Sequence, residues 1–330
     1  MFPEDLIESA GAPNVTLGAP NPIAAASRFV RTRERAWSPP KTRLWLHLLL
    51  LLATMFTTTL VGARMQYNFS HNLPFFDLGR DLDVTVGLRS LPLFLAGLPF
   101  SLTLLTILMA HELGHYLACV YYEVDATLPF FLPAPFPLTG TLGAFIRIRS
   151  AIYSKRVLFD IGVAGPLAGF IFLIPALGVG LAFSKVIPGI NHQGTIQLGT
   201  PALEWLLQRL IFPGVPAADI YLHPVARAAW VGMLATALNL LPVGQLDGGH
   251  VVYALLGRSH KWITQTFLIA LLPMGLRWSG WWFWAVLLFF FARRHPPLYD
   301  QSPIGNPRVK LGILALIVFV LCFTITPIAG

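Results

Sequence analysis

The sequence predicts an all-α polytopic membrane protein with about seven membrane segments and a re-entrant, β-hairpin-like loop near its active site. Composition supports this class, because 55% of the 330 residues are hydrophobic and only 12% are charged. The mean hydropathy of +0.66 agrees with it. A soluble domain of this length needs far more polar surface.

Seven apolar segments account for the predicted number of membrane crossings. Four of them approach or exceed the ~20 residues that cross a hydrocarbon core of ~30 Å. These four lie at 43–63, 91–120, 157–183 and 311–328. Three shorter or interrupted segments lie at 224–241, 262–276 and 281–291.

The distribution of basic residues predicts the orientation of these segments. The net charge of +8 does not indicate nucleic-acid binding, because Lys and Arg gather in the cytoplasmic loops of membrane proteins. Basic groups occur at 28–43, 147–156, 258–261 and 293–310. All four groups lie on one side if the N-terminus is cytoplasmic. We therefore expect that orientation, a lipid bilayer as the surroundings, and no nucleic-acid partner.

The chain is expected to consist of one membrane domain and a tail. Residues 1–42 lack hydrophobic periodicity and are predicted to be a flexible cytoplasmic tail. Residues 43–330 are predicted to form the membrane-embedded domain, with its motifs between 90 and 260. The two cysteines, Cys119 and Cys322, exclude a disulfide framework, and a cysteine metal site is not expected.

The segment 123–156 is apolar but crowded with proline and glycine, so it cannot be a helix. Extended backbone at membrane depth survives only beside protein or a water-filled cavity. The segment therefore predicts a re-entrant hairpin beside such a cavity. Residues 144–149 alternate between apolar and polar types, which is typical of a strand.

The strongest chemical signal is the sequence His111-Glu112-Leu113-Gly114-His115 in a long apolar helix. Histidines at positions i and i+4 share one helix face, so both imidazoles can bind one metal ion. Glu112 is placed to act as general base toward a water polarised by that ion. Two packed histidines and a surface glutamate are the simpler alternative, but ionisable groups inside a membrane segment are costly and usually functional.

Catalytic zinc typically takes three protein ligands, so one more is needed. Asp247 is the best candidate, because it follows an apolar run in which Pro242 and Gly244 break the helix. The alternative is an aspartate that only opens the next helix.

These motifs together resemble the site-2 protease family of intramembrane metalloproteases. His111, Glu112 and His115 match the first motif of the family. Asn239, Pro242, Asp247 and Gly248 match its last motif, with the spacing of the family. The segments 159–169 and 140–144 resemble its small-residue helix and its extended loop, the latter as in plant plastid and bacterial members without a peptide-binding domain.

The resemblance implies a zinc metalloendopeptidase that cuts peptide bonds in or near transmembrane segments. It implies that His111, His115 and Asp247 hold one zinc ion, that Glu112 activates the water and that Asn239 faces the reacting carbonyl. The implied substrates are single-span membrane proteins that another protease has already trimmed. We expect a bacterial inner membrane, with a plastid membrane as the alternative.

Two other functions remain open at this point. A metal or ion transporter can use the same His, Glu and Asp groups, but it predicts acids spread across the bilayer and internal repeats. An inactive, chaperone-like homologue would tolerate the loss of Glu112. Asp160 and His250 are also candidates for contact with the metal ligands. The alternative for Asp160 is a favourable charge at a helix N-terminus, and the alternative for His250 is a solvated loop histidine. Gly165 and Gly169 predict close helix packing, with the histidine helix as a candidate partner.

Overall fold

The computed structural model describes residues 43–134, 136–291, 300 and 302–329. The predicted tail, 1–42, lies outside these residues. In chain order the helices are α1 (Leu44–Ser70), α2 (Leu91–Leu95), α3 (Leu98–Tyr121), α4 (Lys155–Ala182), α5 (Ala202–Ile211), α6 (Pro224–Asn239), α7 (Asp247–Leu256), α8 (His260–Met274), α9 (Gly280–Phe291) and α10 (Asn306–Cys322).

Short strands form three antiparallel pairs within the described residues. The strands are β1 (Phe130–Pro133), β2 (Thr141–Phe145), β3 (Lys185–Val186), β4 (Gln197–Leu198), β5 (Ile220–Tyr221) and β6 (Ile328–Ala329). β1 pairs with β2, β3 with β5, and β4 with β6. The protein is thus mostly helical with a small β-hairpin, as predicted.

Three helical stretches are long and apolar enough to cross a bilayer, which makes the chain a multi-pass membrane protein. They are Leu44–Ser70, Leu91–Tyr121 and Lys155–Ala182. Each of the other four predicted segments overlaps one helix, α6, α8, α9 or α10, of 12 to 17 residues. These are shorter than the ~20 residues of a full crossing. The number seven therefore stays a prediction.

The predicted span 311–328 does not match its helix. α10 begins at Asn306 and ends at Cys322, because Phe323 adopts an extended conformation. Beyond that point the backbone bonds to other parts of the protein. The indole of Trp281 donates to the carbonyl of Ile325 at 2.6 Å, and β6 pairs with β4.

The loops gather at two ends of the helix bundle. At one end, Arg156 Nε donates to the carbonyl of Pro303 at 3.1 Å, and Ser154 pairs with Asp300. We call this the basic end, because it contains basic groups from 147–156 and 308–310. At the other end, the amide of Thr195 donates to the carbonyl of Phe76 at 3.1 Å. We call the loops 71–90 and 185–222 at that end the cap. The side of the membrane on which each end lies stays a prediction.

Close backbone packing joins the helices that carry the site. A Cβ atom on Gly180 of α4 would lie 2.2 Å from the amide nitrogen of Ala226 in α6. Leu173, Leu177 and Met233 are fully buried between these two helices. The central helices α3, α4 and α6 thus form a rigid base for the site.

The hairpin runs alongside α1 over much of its length. His47 Nδ1 lies 3.0 Å from the carbonyl oxygen of Pro129, and Thr57 Oγ1 donates to the carbonyl of Gly140 at 2.7 Å. Arg64 Nη2 donates to the carbonyl of Pro137 at 2.7 Å. α1 rises about 25 Å between His47 and Arg64 at ~1.5 Å per residue. The hairpin therefore follows a membrane helix, and its re-entrant course stays a prediction.

The strand lies earlier than predicted. It covers Thr141–Phe145, and farther along only Ile148 forms an isolated bridge, to Ala126. Phe145 pairs with Phe130, so the register changes by one residue between the two pairings. This shift interrupts the ladder, and alternation of side chains over 144–149 could not reveal it.

Candidate metal centre

His111, Glu112 and His115 lie on α3, and all three are buried, with exposed fractions of 5%, 6% and 6%. The two histidines are one helical turn apart, so their imidazoles project from the same face. Burial of three ionisable groups in a membrane helix is unfavourable unless they pair with each other or bind an ion. The residues around these three side chains therefore determine whether they pair with each other or bind an ion.

A tight bend between α6 and α7 positions Asp247, the third candidate ligand. α6 ends at Asn239, and Gly244 has a positive φ of 55°, which glycine adopts without strain. Asp247 is the first residue of α7. A Cβ on Gly248 would lie 2.0 Å from the carbonyl oxygen of Leu240, so the first turn of α7 packs directly on the bend. The bend thereby fixes the position of the Asp247 carboxylate.

Three potential ligand atoms meet at one point. His111 Nε2 and His115 Nε2 each lie 3.2 Å from Asp247 Oδ2, and they lie 3.2 Å from each other. Zinc at 2.0–2.1 Å from tetrahedral ligands separates those ligands by roughly 3.3–3.4 Å. The observed triangle fits one such ion closely, and the donor set of two imidazoles and one carboxylate is suitable for zinc.

A backbone carbonyl orients one imidazole. His115 Nδ1 lies 2.7 Å from the carbonyl oxygen of Ile161 on α4. If Nδ1 carries the proton, it donates to this oxygen and leaves the lone pair of Nε2 for a metal. Such contacts behind a ligand fix its tautomer and ring orientation. Sequence analysis did not find Ile161, because a carbonyl belongs to every residue and has no signature.

Small residues let α4 approach the histidines. A Cβ on Gly165 would lie 2.1 Å from His115 Nε2, and one on Gly169 would lie 3.2 Å from His111 Cβ. On the other helix, a Cβ on Gly114 would lie 2.5 Å from the carbonyl oxygen of Ala164. The expectation that Gly165 and Gly169 pack against the histidine helix is confirmed.

Glu112 lies next to the hairpin. The amide N–H of Ile146, one residue past β2, lies close enough to the Glu112 carboxylate to interact with it. This contact links the candidate general base to the extended segment. It was not predicted, because no pattern in the sequence assigns a partner to a backbone amide.

Asn239 lies at the edge of the same cluster. Its Nδ2 atom is 3.2 Å from His111 Nε2. The amide group therefore borders the space that a metal ion would occupy, at the last residue of α6. The structure thus brings together all five residues that the sequence singled out.

Asp160 does not contact the histidines. Its carboxylate accepts hydrogen bonds from Arg308 Nη2 at 2.6 Å and from the Tyr122 hydroxyl. It joins α10 to α3 and α4 at the basic end, so the hypothesis of a contact with a metal ligand is wrong. His250 lies in α7, where it packs against α4: a Cβ on Gly162 would lie 3.1 Å from the Cβ of His250.

The fold and the site together define a multi-pass membrane protein with a His-His-Asp metal centre and an adjacent glutamate. The model of Peptidase family M50 matches residues 99–276, which is more than half of the chain. The chain therefore belongs to Peptidase family M50, and the resemblance to the site-2 proteases is confirmed.

Curated relatives agree with this family. The chain is 32% identical over 324 residues to "Probable zinc metalloprotease EGY1, chloroplastic" of Oryza sativa subsp. japonica, covering 91% of this chain and 54% of the relative. It is 31% identical over 335 residues to the protein of the same name in Arabidopsis thaliana, covering 94% and 58%. It is 32% identical over 247 residues to "Probable zinc metalloprotease EGY2, chloroplastic" of Arabidopsis thaliana, covering 71% and 43%. The chain spans about half the length of these relatives.

Proposed function

We propose that the chain is a zinc metalloendopeptidase that hydrolyses peptide bonds in or near the transmembrane segments of membrane proteins. The observation that supports this most directly is the triangle of His111, His115 and Asp247 with Glu112 beside it. Family membership and the names of the relatives point the same way. Hydrolysis inside a membrane requires a buried polar site of this kind.

We assign one zinc ion to His111, His115 and Asp247. Bound there, zinc polarises a water molecule and the carbonyl group of the substrate. The protein holds the ligand atoms in place through the carbonyl of Ile161 and the bend before Asp247. A single ion is proposed because the triangle has the size of one tetrahedral face.

Glu112 is proposed as the general base and acid. It is adjacent to His111 in sequence, and its buried carboxylate can take a proton from the water and return it to the leaving amine. The amide of Ile146 interacts with this carboxylate from the side of the hairpin. Asn239 is proposed to donate from Nδ2 to the carbonyl oxygen of the scissile bond as negative charge develops there.

Substrate recognition is proposed to use the hairpin. A helical substrate must unwind before its carbonyl groups can react, and an unwound segment can pair with an open strand edge. Within the described residues, β2 pairs with β1 on one side and with no strand on the other. The residue after β2 contacts Glu112, so a peptide along this edge would pass the catalytic group. The substrates are proposed to be single-span membrane proteins.

We expect proline at Leu142 to reduce cleavage while zinc stays bound. Leu142 lies in β2, and its side chain is 70% exposed. Proline removes a backbone N–H from the strand, whereas the matched Leu142→Ala change removes only the side chain. Quantitative proteomics would measure the amount of uncut single-span proteins in membranes of cells that express wild type, Leu142→Pro or Leu142→Ala. Equal turnover by Leu142→Pro and wild type would refute the strand-addition hypothesis.

The cellular location is proposed from the relatives. Their names describe chloroplastic proteins, which favours a plastid membrane over the bacterial inner membrane expected from the sequence. We propose that the N-terminus lies on the same side of that membrane as the basic end.

The metal centre itself can be tested by replacing Asp247 with alanine. We expect purified Asp247→Ala protein to lose zinc, because two imidazoles alone leave the site one protein ligand short. Zinc per chain would be measured by atomic emission, with one zinc expected for wild type. Asp160→Ala is the matched control, since Asp160 binds Arg308 instead. Full zinc content in Asp247→Ala would remove Asp247 from the ligand set.

A further inference from the structure

A second polar site lies in the cap, remote from the metal centre. A cavity of about 200 Å³ is lined there by polar groups of Glu204, Gln208 and Arg227 and by apolar side chains such as Phe75 and Leu222. Arg227 and Asn239 lie at opposite ends of α6, about 18 Å apart at ~1.5 Å per residue.

Arg227 presents a charged donor to this cavity. Its side chain is buried, with 4% exposed, and its Cζ lies 3.7 Å from the ring centroid of Phe75. The ring centroid of Tyr221 lies 5.5 Å from the same Cζ atom. Among the residues that the structure describes, none accepts a hydrogen bond from Arg227 Nη2. The aromatic rings hold the guanidinium in place without using that donor.

Glu204 presents a second polar atom to the cavity. It is 2% exposed, and its Oε1 atom accepts a hydrogen bond from Gln208 Nε2 at 2.7 Å. Its Oε2 atom has no hydrogen-bond partner in the described part of the chain. Burial raises the pKa of Glu204 to about 8, although the nearby charge of Arg227 opposes this shift. This shift favours the protonated carboxyl group, which can donate from its hydroxyl.

The two groups together favour an anion. Arg227 brings a positive charge and a free Nη2 donor to the cavity, and the raised pKa of Glu204 makes this carboxyl group less repulsive to an anion than an ordinary carboxylate. An unpaired buried charge is strongly unfavourable, and a carboxylate is the usual partner of a guanidinium. Most of the cavity surface is polar, and its lining also includes Asn191, Gln197 and Thr200. The smaller apolar part, which includes Leu198 and Leu222, has room for only a short hydrocarbon body.

We propose that this cavity binds a small carboxylate with a short apolar body. The carboxylate accepts hydrogen bonds from Arg227 Nη2 and from the Glu204 carboxyl group. The apolar body packs against Phe75, Leu198 and Leu222. This site is separate from the zinc site, and its occupancy does not depend on hydrolysis.

Isothermal titration calorimetry of the full chain in detergent, at pH 7, tests the proposal with pentanoate as the probe. We expect pentanoate to bind and the uncharged isostere pentanamide to bind at least tenfold more weakly, because a carboxylate makes a stronger hydrogen bond with a guanidinium than a neutral amide does. Arg227→Gln is expected to weaken pentanoate binding by a similar factor. Arg209→Gln is the matched control, since Arg209 is exposed on α5, where it stacks on Trp205.

A second variant covers the case in which Arg227→Gln does not fold. Ala218 lines the cavity from a half-exposed turn, so Ala218→Leu should fill the space without disturbing the core. It is expected to abolish pentanoate binding, while the elution volume and helix content of the protein stay unchanged. The proposal is overturned if pentanoate does not bind, if pentanamide binds equally well, or if Ala218→Leu keeps wild-type affinity.

Discussion

Replacing Glu112 with glutamine is expected to lower peptide-bond hydrolysis by about 10²–10⁴-fold, the usual contribution of a general acid–base group. Glutamine has the same shape but cannot take a proton from water. The ligand atoms of His111, His115 and Asp247 are unchanged by this substitution, so zinc should remain bound. The variant therefore separates chemistry from metal binding.

The experiment compares membrane fractions of cells that carry wild type or Glu112→Gln by quantitative proteomics. One or a few single-span proteins should accumulate uncut in the variant, and they would be the substrates. Glu123→Gln is the matched control, because Glu123 is exposed beyond the end of α3. Identical profiles for wild type and Glu112→Gln would contradict the proposed hydrolysis. A transporter or a chaperone-like protein would then be the remaining alternatives.

Gly165→Ala is expected to reduce zinc affinity at least tenfold, although it only adds a methyl group. The new Cβ would lie 2.1 Å from His115 Nε2, far inside van der Waals contact. The imidazole cannot move aside without leaving the carbonyl of Ile161, and Gly114 already holds the two helices at close approach. The ring must rotate or the helices must separate, and either change breaks the triangle of ligands.

Gly178→Ala on the same helix is the control, because a Cβ there meets nothing within 4 Å. Glycine to alanine in a helix normally stabilises a protein by about 0.4–1 kcal/mol, so this control should bind zinc fully. Zinc affinity, measured by competition with a chelator, and thermal unfolding would be compared for both variants. A Gly165→Ala protein with wild-type zinc affinity would show that His115 does not lie against α4 as described.

Two proposed roles rest on the hairpin, and the sequence predicted the hairpin only in outline. Proline and glycine between 123 and 156 excluded a helix, and the structure contains the expected antiparallel pair. The strand nevertheless ends at Phe145, because a one-residue change in register interrupts the ladder before Ile148. Register depends on which backbone groups meet across the pair, and side-chain alternation does not report this.

The membrane class and the five residues of the site could be recognised without a structure. Apolar runs need only length and composition to be recognised, and the spacing of His111 and His115 follows from the helical period. Asp247 was singled out by the helix break at Pro242 and Gly244 and supported by the family pattern, whereas Asn239 came from the family pattern alone.

How those residues are held depends on tertiary packing alone. The carbonyl of Ile161, the amide of Ile146 and the closeness of Gly165 are contacts between distant parts of the chain. The cavity around Arg227 and Glu204 also depends on tertiary packing, because its polar groups lie on different elements. Backbone groups are chemically identical at nearly every residue, so sequence carries no mark of which ones will meet. Packing of the helices and loops makes that choice.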